Sequence, residues 1–141
     1  MSTKFKDETT DRLVTDVAEA LEACAAVCRE CADRCERDDP IAMATCIATC
    51  RACADICDTT ARVLRSGPAS RVEILVEQAR AAYEATRTCA IECGEHSQDH
   101  CQRCADECDE TSRAVKRLLA TLDDDLERAH RVLDDTIRRH V

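Results

Sequence analysis

The sequence predicts an all-α protein, an antiparallel up-down-up-down four-helix bundle with a cysteine-lined core and a C-terminal helical extension. Three observations carry that expectation. Cys24-x3-Cys28-x2-Cys31-x3-Cys35 recurs as Cys46-x3-Cys50-x2-Cys53-x3-Cys57. An α-helix turns about 100° per residue, so steps of four, three and four return each quartet of sulfurs to one face. The same alternation runs on into apolar residues, and the few Gly and Pro residues fall where the stripes restart.

The first helix is expected over Thr10–Arg37, with the stripe Val14, Val17, Leu21, Cys24, Cys28, Cys31, Cys35, apolar first and sulfur last. Asp38-Asp39-Pro40 reads as a stop and restart, Asp39 capping and Pro40 taking the first helical position of a second helix that runs to Arg65. That helix carries Met43, Cys46, Cys50, Cys53, Cys57, Thr60 and Leu64, sulfur first. Ser66-Gly67-Pro68-Ala69-Ser70 is the clear linker, and Ser70-x-x-Glu73 is a capping box for a third helix. Its stripe is Leu75, Ala79, Ala82, Thr86, Cys89, Cys93, and Gly94 ends it. The fourth helix reads Ser97, Cys101, Cys104, Cys108, Thr111, Val115, Leu118, Leu122. Beyond Thr121, Asp123-Asp124-Asp125 can cap a last segment to Arg139 with a narrow stripe of Leu126, Ala129, Leu133 and Ile137; the sequence leaves open whether it continues the fourth helix, folds back or pairs with another subunit.

Each pair of helices repeats one hairpin, echoed in Cys-Ala-Asp at Cys31, Cys53 and Cys104. Short loops make consecutive helices antiparallel neighbours. All cysteines then fall at the end bearing the two hairpin loops, and the other end is a dry plug of Val14, Val17, Leu64, Leu75, Leu118 and Leu122. From the loop end inward the expected layers are Cys35, Cys46, Cys93, Cys101; then Cys31, Cys50, Cys89, Cys104; then Cys28, Cys53, Cys108 with Thr86; then Cys24 and Cys57 with Ala82 and Thr111.

Leu, Ile, Val and Phe number only 25 of 141 residues, a level at which a charged chain usually fails to fold. Thirteen cysteines and abundant Ala compensate, because a protonated Cys packs as a small hydrophobe and Ala lets helices approach. The length fits a single domain over 1–141, divided into a bundle at 10–120 and an extension at 121–141. A net charge of −9, with 17 Arg and 3 Lys, repels nucleic acid and anionic membrane; its Asp-rich, Lys-poor character also suits a halophile. The N-terminal residues carry no apolar signal region and no 18-residue apolar run occurs, so a cytoplasmic protein is expected. There, dense cysteine means metal or redox chemistry rather than a disulfide framework.

Buried thiolates need compensating charge, so an empty sulfur core stays largely protonated and metal binding releases the protons. Monovalent Cu(I), near one ion per sulfur, leaves the core close to neutral. A closed tetrathiolate zinc site keeps two negative charges, so three of them would bury roughly six. Thiolate softness also selects Cu(I). His96 and His100 lie where the sulfur stack meets solvent, and Met43 sits one turn above Cys46; imidazole and thioether bind Cu(I) reversibly, which suits a mouth. Asp38, Asp39, Glu95 and Asp99 read as solvated loop residues adding negative charge there. His130 and His140 read as surface residues, Tyr83 and Phe5 as packing residues. Only 2 Gly and no paired nucleophile and base argue against an enzyme.

The Cys-Ala-x2-Cys repeats on four helices, with His-x3-His-Cys between the third and fourth, resemble the bacterial and archaeal copper storage protein family over about residues 13 to 119. The resemblance implies Cu(I) storage or detoxification by the thirteen cysteines, loading past His96, His100 and Met43, and frequent homo-oligomeric assembly; a copper donor or acceptor protein is a further expected partner. The absence of an export signal points to its cytosolic branch. Two departures stand out: the third helix has Ala82 and Thr86 where sulfur might continue, and the extension has no counterpart. Three other readings compete. An iron-sulfur electron-transfer protein could ligate a cluster with Cys35, Cys46, Cys93 and Cys101. A zinc buffer and a thiol-redox or purely structural core are the others.

Overall fold

The computed structural model describes residues 8–67 and 71–139, without the side chain of Leu133. The capping box at Ser70, the packing of Phe5, the Leu133 position of the tail stripe and His140 lie outside the described residues. Four helices follow in order, α1 (Glu8–Asp38), α2 (Ala44–Arg65), α3 (Val72–Gly94) and α4 (Asp99–Arg139). Each packs on two neighbours in a closed ring, α1 and α3 both lying between α2 and α4. The expected four-helix bundle is the observed fold.

The buried face of α1 holds Val14, Val17, Ala18, Leu21, Cys24, Ala25, Cys28, Cys31, Ala32 and Cys35. The stripe is thus flanked by alanines, which bring the axes close enough for short thiol side chains to meet. The start of α2 differs from the sequence expectation. Asp39 does cap, its Oδ1 accepting from the Ala42 N–H at 3.1 Å, and the Met43 N–H reaches the Asp39 carbonyl at 3.0 Å. Yet Pro40–Met43 forms a turn and regular helix begins at Ala44, because the next bond, from the Ala44 N–H to the Ile41 carbonyl, is a long 3.4 Å. At the other end of α2 the chain reverses through Gly67, whose φ of 62° is the left-handed conformation glycine tolerates.

The plug is as dry as expected: Val17, Leu21, Leu64, Leu75, Val76, Val115, Leu118 and Leu122 are each at most 1% exposed. Burying each such side chain stabilises the fold by about 1.5–3 kcal/mol, so this end supplies much of the cohesion that thiols cannot. Outside, ion pairs tie neighbouring helices together: Arg29 to Asp58 at 2.6 Å, Arg65 to Glu22 at 2.5 Å, and Arg51 to Glu36. These are solvated pairs worth about 0–1 kcal/mol each.

The C-terminal extension is a continuation of α4, which runs unbroken for 41 residues, about 60 Å at 1.5 Å per residue. Asp123 is not a cap but pairs with Arg80 of α3 at 3.4 Å, and Leu126 packs half-buried on the core. Farther on, Val132 and Ile137 are 67% and 53% exposed. Among the described residues no helix is long and apolar enough to cross a membrane.

Candidate metal centre

All thirteen cysteines are free thiols and all are buried, none more than 1% exposed. Every one has another sulfur within 4.0 Å; the shortest separations are Cys50 to Cys93 at 3.4 Å and Cys28 to Cys108 at 3.5 Å. Four sets of four donors lie close enough to share an ion: Cys31, Cys35, His100, Cys101; Cys31, Cys50, Cys93, Cys104; Cys28, Cys89, Cys104, Cys108; and Cys24, Cys28, Cys53, Cys108. Successive sets share members, Cys31 between the first two, Cys104 between the second and third, and Cys28 with Cys108 between the last two.

This sharing corrects the expected flat layers. Cys24 meets Cys108 at 3.6 Å and Cys50 meets Cys93 at 3.4 Å, contacts that cross from one predicted layer into the next. The helices are staggered along the axis, so sulfurs interleave into one continuous file instead of stacking as separate rings. Cys46 and Cys57 stand outside the four-donor sets but against members of the file: Cys46 at 3.7 Å from Cys93, Cys57 at 3.9 Å from Cys53 and hydrogen-bonded also to Cys24. The iron-sulfur reading loses its ligand set by the same stagger. Cys35 groups with Cys101 and Cys46 with Cys93, and among the described residues the four do not form one cluster.

The histidines divide. His100, its side chain 10% exposed, sets Nε2 3.4 Å from the Cys35 Sγ and belongs to the outermost set. His96 stands apart, its Nε2 3.4 Å from Glu92 Oε1 and its backbone N–H on the Cys93 carbonyl at 3.1 Å. Met43 is 4% exposed at the top of α2, with the Gln98 amide 3.7 Å from its Sδ. Two glutamines were not singled out by the sequence pattern: Gln98, and Gln102, whose amide donates to the carbonyl of His96 at 2.6 Å and of Gly94 at 3.3 Å, fixing the α3–α4 loop. Polar residues in a loop give no periodic signal, so these roles were visible only in space.

The core's electrostatics follow from burial. Desolvation pushes the Cys46 thiol up, and it pushes Cys101 up to about 12, with the neighbouring Cys35 sulfur adding to the effect. Cys28, Cys31, Cys50, Cys89 and Cys108 are shifted up, each chiefly through its hydrogen bond with Cys104. Cys104 itself is shifted down, with Cys108 as its main hydrogen-bond partner. Cys53 is shifted down as well, again with Cys108 as its main hydrogen-bond partner.

The sequence model of the copper storage protein family matches residues 10–120. The chain belongs to that family. Solved structures agree. A cytosolic copper storage protein from Streptomyces lividans carrying five coppers is 29% identical with a TM-score of 0.78, covering 81% of this chain and 98% of that one. The copper storage protein Ccsp from Streptomyces lividans loaded with 10 copper equivalents is 30% identical with a TM-score of 0.76, over 82% of this chain and 92% of that one. A histidine-to-alanine mutant of the same protein is 31% identical with a TM-score of 0.75, over 79% and 95%. No curated protein matches by sequence. The family match stops at residue 120, and the exposed part of α4 lies beyond it.

Proposed function

We propose that this protein is a cytosolic, non-enzymatic store for Cu(I), its thirteen cysteines holding the ions and its His100 end receiving them. The supporting observation is the file itself: thirteen buried sulfurs, each within 4.0 Å of another, eleven of them in four-donor sets that share members. Shared thiolates bridge monovalent ions into one multinuclear body whose charge nearly cancels, whereas isolated zinc tetrathiolates would bury excess negative charge. Copper delivered to the mouth meets His100 and Cys35 together, then passes inward by exchange between sulfurs already in contact. Met43 beside Gln98 and His96 on Glu92 flank that mouth and act as outer, transient contacts.

The test is an anaerobic titration of the reduced protein with Cu(I) against a competing chelator. Uptake of about one ion per cysteine is expected; saturation at two or three would overturn the proposal. Replacing both histidines, His96→Ala with His100→Ala, should slow uptake and leave capacity nearly intact.

A further inference from the structure

The outermost donor set differs in kind from the three beneath it. It alone combines three sulfurs, of Cys31, Cys35 and Cys101, with an imidazole nitrogen. Its edges measure 3.6 Å from Cys35 to Cys101, 3.9 Å from Cys31 to Cys101 and 3.4 Å from the Cys35 Sγ to His100 Nε2. A tetrahedron around Zn2+ with Zn–S near 2.3 Å and Zn–N near 2.0–2.1 Å has sulfur–sulfur edges of about 3.8 Å and sulfur–nitrogen edges of about 3.5 Å. Three of the six edges already stand at those spacings, and the other donor pairs lie within 4.8 Å, close enough for a bound ion to draw them in.

Charge separates this set from the others. Three thiolates and a neutral imidazole leave a divalent ion with one excess negative charge; four thiolates leave two. The inner sets would carry their two in a fully buried file, while the outer set opens beside His100 onto a groove between α1 and α4. That groove, a cavity of about 250 Å³, has Cys31 and His100 in its lining with four carboxylates, of Glu30, Asp106, Glu107 and Glu110, against the one guanidinium of Arg103. Asp38 Oδ2 lies 3.7 Å from His100 Nε2. Carboxylates favour a hydrated divalent ion over soft Cu(I), so the groove supplies a path suited to Zn2+.

We infer that the reduced, copper-free protein holds one Zn2+ at its mouth, on Cys31, Cys35, Cys101 and His100, and that this ion plugs the sulfur file. On binding, the three thiols lose their protons to water and four metal–ligand bonds form. Cys31 belongs also to the next set inward, so Cu(I) gains that set only by displacing the zinc. The site stands on its own geometry; only the plugging rests on the copper storage reading.

The experiment is an anaerobic titration of the reduced full-length protein with Zn2+ against a chromophoric chelator, repeated with Co2+ as an optical stand-in. One equivalent should bind tightly, and the Co2+ form should show tetrahedral d–d absorption with a thiolate charge-transfer band. His100→Ala should weaken binding about tenfold or more, His100→Cys should restore it with a fourth thiolate, and Cys57→Ser at the far end should leave it unchanged. Cu(I) added to the zinc form should release that single ion. Failure to bind, an octahedral Co2+ spectrum, or two or more equivalents indifferent to His100→Ala would overturn the inference, and retention of zinc as copper fills would overturn the plug. A low copper count on zinc-free protein would fell the storage reading alone and leave the zinc result standing.

Discussion

Along α1 and α4 one stripe passes from leucine to sulfur without a change of period. On α1, Val14, Val17 and Leu21 lead into Cys24, Cys28, Cys31 and Cys35; on α4, Cys101, Cys104 and Cys108 give way to Val115, Leu118 and Leu122. The backbone geometry is the same in both halves, so side-chain identity alone divides their work. The apolar half holds the helices together in the absence of metal. The sulfur half buries small, weakly hydrophobic groups that become strong partners only once metal replaces their protons. Between them lie buried Thr60, Thr86 and Thr111. Thr86 donates to the Ala82 carbonyl at 2.8 Å and Thr60 to the Gln78 carbonyl at 3.3 Å, so these two hydroxyls are committed within the protein.

Three measurements bear on that division. The largest effect is expected from Leu118→Ala, which should lower the unfolding free energy of the copper-free protein by about 2–5 kcal/mol in urea while leaving copper capacity unchanged; a fall in capacity would show that the halves do not act separately. Alkaline pH should act on the sulfur half. The Cys101 thiol is raised from 9.0 to about 12 in the folded protein, so the native state holds its proton more tightly than the unfolded chain. That contribution is complete below about pH 9 and is lost as pH climbs toward 12. Melting temperature of the copper-free protein should fall across this window, and copper-loaded protein, whose thiolates carry no proton, should not follow it. The smallest effect belongs to Thr86→Cys, which moves the border by one residue: stability should change by less than about 1.5 kcal/mol, and the titration should gain about one ion.

Much of this architecture was legible in the sequence because a helix states its own buried face. The 3-4 spacing of sulfur and leucine located every helix and put all thirteen thiols inside one end. What a helix does not state is its axial offset from its neighbours, so the expected layers were flat where the sulfurs interleave, and the outermost expected ring is divided between sets. Local signals also left the extension open. Asp123-Asp124-Asp125 suits a helix start and equally an exposed helical stretch, and it is the distant Arg80 that meets Asp123. His96 and His100 share a loop motif, but only His100 falls on the turn of α4 that faces Cys35. The acidic α1–α4 groove draws its residues from two helices, so neither sequence segment announces it.

The leucine plug gives the sulfur file a blind end. On the proposed loading past His100, a corridor closed at the back would empty in the reverse of the order in which it filled, making ions on Cys24, Cys53 and Cys57 the deep reserve and those nearest His100 the first to leave. A cell drawing on such a store meets its outermost occupants first, and the residence time of each ion is written by how far from the opening it came to rest.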